Sequence, residues 1–217
     1  MYQAILFDLD DTLYDLRTYW GSRLGRALDL VLPHHPHFDR EALVQTALAE
    51  RVFMAHWPDF LRRQSVADEA LIATTHEVFC DGWFDEMLLY EDALPTLAAL
   101  RPGYRLGLIT NGPSTIQRRK IERFELGNYL DVLVVSEEVG FAKPHPAIFA
   151  LALEQLGVRP AEALFVGDSP EYDLRGALAA GMDYVWMNPR REQLPAGLQP
   201  PQATIERLAQ LLHMLET

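Results

Sequence analysis

Carboxylate side chains cluster directly after a short apolar run near the start of the chain. The run Ala4–Phe7 (AILF) leads straight into Asp8 and Asp10, with Asp11 and Thr12 close behind. Carboxylates at this separation repel one another and raise one another's pKa unless a cation lies between them. The chain carries a formal net charge of −12, so the cation must come from particular residues or from a bound metal ion. For Asp11 alone we favour a structural role as a turn or N-cap residue.

Polar side chains also follow three later apolar runs, each typical of a buried strand in a parallel sheet. They are Thr110 and Asn111 after RLGLI (105–109), Lys143 beyond VLVV (132–135), and Asp168 and Asp173 after ALFV (163–166). In open parallel sheets, ligands bind beyond the carboxyl ends of the strands. We therefore expect these side chains to meet Asp8 and Asp10 at one common mouth.

The charges expected at this mouth do not balance. Three carboxylates, those of Asp8, Asp10 and Asp168, face a single lysine, Lys143. A divalent cation removes the imbalance, and hard oxygen ligands with room for water and phosphate suit Mg²⁺. The sequence therefore predicts Mg²⁺ as a cofactor.

Strand and helix patterns alternate from about residue 105 onward. A fifth apolar run, YVWM (184–187), follows the runs named above, and helical patterns cover Ser114–Phe124, Pro146–Leu156 and Glu171–Ala180. This alternation predicts the α/β fold class, with a Rossmann-like parallel sheet sandwiched by helices. After a proline-rich connector, a closing helix is predicted, with Leu208, Leu211, Leu212 and Leu215 as its packing stripe.

About a hundred residues without a strand pattern separate the first strand from the second. Helical patterns occur there around residues 19–32, 41–57 and 68–79. We interpret this region as an all-helical domain inserted after the first strand. The predicted domains are residues 1–14 with 92–217 as the catalytic core, and residues 15–91 as the insertion.

Composition limits the partners. A chain of 217 residues, 49% of them hydrophobic, can form a substantial core, and its acidity (pI near 4.9) argues against nucleic acid. The single cysteine, Cys80, forms no intrachain disulfide. No signal-peptide pattern and no run of about 18 apolar residues occurs, so we expect a cytoplasmic protein without a membrane span. Whether it is a monomer or a homodimer stays open.

Four motifs in this order resemble those of the haloacid dehalogenase superfamily. They are FDLDDT, ITN, the pair Lys143–Pro144, and GDSPEYD. The resemblance covers roughly residues 1–190 and implies a Rossmann-like core with a helical cap inserted after the first motif. The insertion at residues 15–91 matches that cap class.

The resemblance also implies roles for individual residues. Asp8 corresponds to the nucleophile that becomes an aspartyl phosphate, and Asp10 to the residue that protonates the leaving group and then activates water. Because Asp10 is only two residues from Asp8, the backbone must leave β geometry there. Lys143 resembles the family's charge-neutralising lysine.

The remaining site residues divide into phosphate ligands and metal ligands. Thr110 and Asn111 resemble the family's phosphate-binding motif at the start of a helix, where anions are favoured. Asp8, Asp168 and the main-chain carbonyl of Asp10 resemble the metal ligands. Asp173 is expected to support the site, with capping of the helix that follows as the alternative.

The leading functional hypothesis is a Mg²⁺-dependent phosphatase acting on a small phosphomonoester of the nucleotide or sugar phosphate type. The alternatives are a 2-haloacid dehalogenase with the same nucleophile, which typically lacks the second acid, a sugar phosphomutase, and a catalytically silent binding protein.

Other polar clusters favour simpler interpretations. His34, His35 and His37 are expected to form a loop rather than a metal site. The basic run QRRKIERF is expected to form a solvated helix face, with contact of Arg118 or Lys120 to a substrate the less favoured alternative.

Overall fold

The computed structural model, which describes residues 1–216, contains a six-stranded parallel sheet. Its strands are β1 (Ala4–Phe7), β2 (Arg105–Thr110), β3 (Val132–Val135), β4 (Ala163–Gly167), β5 (Asp183–Met187) and β6 (Ala203–Ile205). They lie in the order β3-β2-β1-β4-β5-β6, and every neighbouring pair is parallel. The predicted α/β fold class with a Rossmann-like sheet is confirmed.

The central strand β1 is apolar at every position because neither face of the sheet meets solvent there. All its residues are buried, as a parallel sheet covered by helices requires. The pairing register sets Phe7 beside Leu108 of β2 and Val166 of β4. The carboxyl ends of these strands therefore lie together, and the residues that follow them are neighbours.

Ten helices accompany the sheet within the described residues. They are α1 (Leu16–Val31), α2 (Arg40–Ala49), α3 (Trp57–Arg63), α4 (Glu69–Cys80), α5 (Ala93–Leu100), α6 (Ser114–Arg123), α7 (Ser136–Val139), α8 (Pro146–Leu156), α9 (Arg175–Ala179) and α10 (Gln210–Glu216). Three short 3₁₀ helices and one π-helical turn at Pro170–Leu174 complete the regular structure.

The prediction of one helix over residues 41–57 is wrong beyond Ala49. The amide of Val52 donates to the carbonyl of Ala47 (2.8 Å), and Arg51 between them has a left-handed φ of 51°. This geometry ends a helix and is usually provided by glycine, so an arginine there gives no signal in the sequence. The short strand β6 was also missed, because three residues after a proline-rich connector form no recognisable strand pattern.

The chain divides into two compact units. One comprises Met1–Asp15 with the chain from Leu88 onward and contains the sheet; the other, Leu16–Met87, contains α1 to α4. The helical unit has its own aromatic core, in which Trp20 and Trp57 both contact the ring of Phe79 (centroids 5.0 and 5.2 Å apart). Its role as a cap stays a prediction.

The C-terminal segment packs less uniformly than predicted. Leu208 and Leu211 are buried, whereas Leu212 and Leu215 are half-buried. No helix within residues 1–216 has the length and apolar character needed to cross a membrane. The cytoplasmic location remains a prediction from the sequence.

Helix α9 packs closely against the loop that carries Lys143, and the helix residue at the point of contact is Gly176. A Cβ atom on Gly176 would lie 2.3 Å from the ring of Phe149 and 3.1 Å from the Cα of Pro144. Phe149 is fully buried, so its ring cannot move aside without disturbing the core. The absence of a side chain at residue 176 therefore lets α9 pack against this loop.

We expect Gly176→Ala to lower the free energy of unfolding by about 1–3 kcal/mol through overpacking. Gly25→Ala is the matched control, because its Cβ would lie equally close (2.3 Å) to the Nη2 of Arg40, whose side chain is 43% exposed and can move. The control should be neutral, or stabilising by up to about 1 kcal/mol, because alanine is the better helix former. Urea unfolding of both variants checks this, and equal destabilisation would contradict it.

Candidate active site

Asp8 follows β1 directly and stays tied to the sheet. Its amide donates to the carbonyl of Val166 in β4 (2.9 Å), and the residue is only 6% exposed. The chain then makes a helical turn in which the amide of Leu13 donates to the carbonyl of Leu9 (2.9 Å). The expectation that regular β geometry ends at Asp8 is confirmed.

Lys143 is buried between two carboxylates. Its Nζ lies 2.5 Å from Oδ1 of Asp8 and 2.7 Å from Oδ1 of Asp173, and it also lies over the ring of Phe165 (5.5 Å to the centroid). Burial by itself lowers the pKa of a lysine, but the charges of Asp173 and Asp8 outweigh it and raise the pKa of Lys143. The lysine is therefore held as a cation.

Three aspartates form one cluster. Asp8, Asp168 and Asp173 each offer a carboxylate oxygen, and these atoms all lie within 4.8 Å of one another. Burial, followed by the charge of Asp173, raises the pKa of Asp168 well above its usual range. Burial also raises the pKa of Asp8 to about 7, helped by Asp173 and Asp10 and opposed by Lys143. One lysine does not balance this cluster.

The side chain of Asp173 lies in the cluster because it packs closely against the main chain of Gly167 and Ser169. Its Oδ2 accepts a hydrogen bond from the amide of Ser169 (3.0 Å), and the residue is fully buried. A Cβ on Gly167 would lie 2.4 Å from this same oxygen, so the carboxylate occupies space that a larger residue would fill. From the sequence, Asp173 is expected either to support the site or to cap the helix that follows. In the structure its carboxylate contacts Lys143.

Asn111 holds the main chain of Lys143. Its Nδ2 donates to the Lys143 carbonyl (2.9 Å), and its Oδ1 accepts from the Lys143 amide (2.8 Å). The amide side chain therefore fixes the loop from which the lysine projects. Thr110 is fully buried at the end of β2. Binding of phosphate by Thr110 and Asn111 stays a prediction.

The Asp10 carboxylate contacts α6 instead of joining the aspartate cluster. Lys120 Nζ lies 2.7 Å from its Oδ1, and Gln117 Nε2 donates to its Oδ2 (3.0 Å). Burial by itself raises the pKa of Asp10, but the charge and hydrogen bond of Lys120 outweigh it and lower that pKa. The predicted metal contact of Asp10, through its main-chain carbonyl, stays a prediction.

Gln117 is a site neighbour that sequence reasoning missed, and Lys120 is one that it named only as a less favoured contact to a substrate. The interpretation of the basic run as a solvated face is wrong for Lys120, which is only 3% exposed. A signal was present, because Gln117, Lys120, Ile121 and Phe124 recur at the three- and four-residue spacing of one helix face. That face is apolar at Ile121 and Phe124, so the lysine lies within a buried stripe.

The histidine-rich segment does not form a second ligand cluster. Within residues 1–216, the aspartate cluster is the one group of three or more potential metal ligands. The ring of His35 instead stacks on Phe38 (centroids 4.9 Å apart), in the loop that the sequence predicted.

Comparison with known proteins now identifies the class. The sequence profile of the haloacid dehalogenase-like hydrolases matches residues 2–181. The chain belongs to this family, and the resemblance noted in its four motifs is confirmed. It is therefore a hydrolase.

Three similar proteins extend this assignment. The chain is 42% identical to "Pyrimidine 5'-nucleotidase YjjG" of Escherichia coli (strain K12), over 96% of both chains. It is 32% identical to "Glyceraldehyde 3-phosphate phosphatase" of Methanopyrus kandleri, over 99% of this chain and 97% of the relative. Among solved structures, a 2-haloacid dehalogenase from Pseudomonas syringae pv. Tomato DC3000 matches with a TM-score of 0.66 and 28% identity, over 100% and 99% of the two chains.

The aspartate cluster predicts how stability depends on pH in excess chelator. The pKa of Asp8 is raised from its usual 3.8 to about 7. The contribution of Asp8 to the free energy of unfolding is therefore fully present below pH 3.8 and is lost as the pH rises through about 7. Asp168 acts in the same direction. The pKa of Asp10 is lowered, so Asp10 contributes stability above pH 3.8, and this contribution does not change between about pH 5 and pH 8.

The transition temperature of thermal unfolding in EDTA should therefore fall as the pH is raised from about 5 to about 8. A loss of about 1 kcal/mol or more in the free energy of unfolding lowers the transition temperature by about 2–4 °C or more for a chain of this size. Asp8→Asn is the control and should remove the share of the dependence that belongs to Asp8, while the share of Asp168 remains. A transition temperature that is constant or rises over this range would count against the charge imbalance.

Proposed function

We propose that the protein is a Mg²⁺-dependent phosphatase that hydrolyses a small phosphomonoester through an aspartyl phosphate on Asp8. One observation carries the proposal: Oδ1 of Asp8 lies 2.5 Å from Nζ of Lys143, inside a cluster of two buried carboxylates and one half-buried carboxylate that needs a further cation. The match to two relatives whose names are those of phosphatases supports the same reaction class.

The residues of the cluster fit Mg²⁺. The donor set consists of carboxylate oxygens, which this ion prefers, and Lys143 alone leaves it under-compensated. Asp8 and Asp168, with the main-chain carbonyl of Asp10, would hold the ion, while Asp173 remains paired with Lys143. When bound, Mg²⁺ neutralises the charge of the phosphoryl oxygens and so allows an anion to approach a carboxylate.

The reaction then proceeds in two displacements. In the first, an oxygen of Asp8 attacks phosphorus, the P–O ester bond breaks, and the leaving alkoxide takes a proton from Asp10. The pKa of Asp10 is lowered in the free protein, so this step requires the negative charge of the bound phosphate to raise it and keep Asp10 protonated. In the second, Asp10 takes a proton from water, the water oxygen attacks phosphorus, and the carboxylate of Asp8 leaves. Lys143 opposes the negative charge of the transferring group in both displacements.

The phosphate would lie between Lys143 and the start of α6. This helix has ten residues and begins four residues after Thr110, so its dipole favours an anion there, and the amide of Ser114 already donates to the carboxylate of Glu137 (2.7 Å). The substrate class is a nucleotide or a sugar phosphate, in line with the activities for which the two relatives are named. Phosphate release from a panel of nucleoside monophosphates and sugar phosphates would identify the substrate.

Dehalogenation is the second candidate, because a solved 2-haloacid dehalogenase matches the whole chain. In that reaction Asp8 would attack carbon and displace a halide ion. A halide ion is a weak base and needs no proton, so the displacement of halide has no use for an acid at Asp10. The presence of Asp10 in its own network of hydrogen bonds therefore favours the phosphatase.

We expect Asp8→Asn to lower kcat on p-nitrophenyl phosphate by at least about 10³-fold, because the nucleophile is lost. Asp59→Asn is the matched control, since Asp59 is a carboxylate with a 72% exposed side chain and should leave the rate unchanged. Unchanged turnover in Asp8→Asn would refute the mechanism.

Removing the metal separates the two candidate functions. In excess EDTA we expect phosphate release from p-nitrophenyl phosphate to fall by at least about 10²-fold, and added Mg²⁺ should restore it. Displacement of halide brings no phosphoryl group into the site and gives no reason for this dependence. Chloride release from 2-chloropropionate that persists in EDTA, without phosphatase activity, would establish the dehalogenase instead.

A further inference from the structure

The carboxylate of Asp10 is held at both oxygens by one helix. Oδ1 contacts Lys120 Nζ at 2.7 Å, and Oδ2 accepts a hydrogen bond from Gln117 Nε2 at 3.0 Å. Gln117 and Lys120 are three residues apart in α6 and so lie on the same face of that helix. Opposite ends of the carboxylate are therefore fixed by neighbouring side chains of a single rigid element.

Burial makes this contact informative. Lys120 is 3% exposed and Gln117 is 1% exposed. An ammonium group removed from water is costly unless it is paired and hydrogen-bonded. Lys120 meets this requirement through Asp10 and through the ring of Tyr14, whose centroid lies 5.4 Å from Nζ. Packing alone would be served as well by an apolar residue, so the pairing points to a role at Asp10.

Gln117 extends the network to a second motif. Its Nε2 also contacts the hydroxyl of Thr110 and the carbonyl of Asn111 (3.1 Å). The carboxylate of Asp10, after β1, and the hydroxyl of Thr110, at the end of β2, are thus connected through the side-chain amide of Gln117. A displacement of α6 would therefore move the expected proton-transfer group and the expected phosphate ligand together.

We propose that Lys120 and Gln117 are positioning residues that fix the orientation of the Asp10 carboxylate for proton transfer to the leaving group and from water. The proposal rests on the proposed phosphatase function. Neither residue needs to touch the substrate. Their contribution should therefore appear in the rate of the chemical steps and depend on how much the leaving group needs a proton.

Two matched substrates test this dependence. p-Nitrophenyl phosphate releases a stabilised phenolate, whereas p-nitrobenzyl phosphate has a similar shape but releases a strongly basic alkoxide. We expect Lys120→Met to lower kcat on the benzyl ester by about 10–100-fold, part of the range that acid–base catalysis supplies, and on the phenyl ester by less. KM should change by less than about twofold, because substrate binding is not altered.

A double-mutant cycle identifies the residue through which Lys120 acts. In an Asp10→Asn background, Lys120→Met should change kcat by less than about twofold, since there is no carboxylate left to orient. Arg119→Met is the control, because it removes the same charge from an exposed neighbour in α6 and should leave kcat unchanged.

Each result decides the matter. Equal losses in the two backgrounds, or a rise in KM at constant kcat, would overturn the positioning role while Asp8→Asn still confirms the phosphatase. Activity retained in Asp8→Asn would remove the proposed function itself. If circular dichroism shows that Lys120→Met does not fold, Gln117→Leu is measured in the same cycle, with the same dependence on leaving group expected.

Discussion

A single buried ammonium shared by more than one carboxylate is the interaction on which this structure depends. Lys143 contacts Asp8 and Asp173 at once, and Asp168 lies in the same cluster but forms no ion pair with a lysine within residues 1–216. The charge deficit is therefore a property of the folded chain. Because Asp8, Lys143 and Asp173 are buried and Asp168 is half-buried, solvent screens this deficit only weakly, and the carboxylate oxygens favour a bound cation that balances it.

Several parts of the fold serve to keep Lys143 at this point. Asn111 bonds the lysine's own amide and carbonyl, so the loop is tied to the end of β2. Gly176 lets α9 pack against the next residue, Pro144. On the other side, Gly167 leaves room for the carboxylate of Asp173. Residues that the sequence presents as separate motifs thus act on one ammonium group, which explains why they occur together.

Local patterns predicted the elements and the strand ends but not the contacts across the chain. Apolar runs located β1 to β5, because strands buried on both faces have no polar positions, and the residues beyond them were correctly expected at one edge. The pairing of Lys120 with Asp10 joins residues 110 positions apart. Nothing in either local pattern specifies that contact, which the packing of α6 against the turn after β1 creates.

The role of Asn111 shows a different limit. Its position after a strand and before a helix suggested an amide that faces the phosphate, whereas its side chain bonds the main chain of Lys143 in this structure. Position in a motif indicates that a residue belongs to a site. It does not indicate which hydrogen-bonding partner the side chain takes, because several partners lie within reach of one amide.

The two acids of the first motif have separate lysines, and this separation gives them different properties. Asp10 has Lys120 as its cation, whereas Asp8 shares Lys143 with Asp173. Accordingly, the pKa of Asp10 is lowered, and that of Asp8 is raised by burial and by its acidic neighbours. The need for an additional cation therefore falls on the side of the nucleophile, where an incoming phosphoryl group adds further negative charge. A carboxylate two residues away that was equally under-compensated would compete for the same ion, and the lysine of α6 removes that competition.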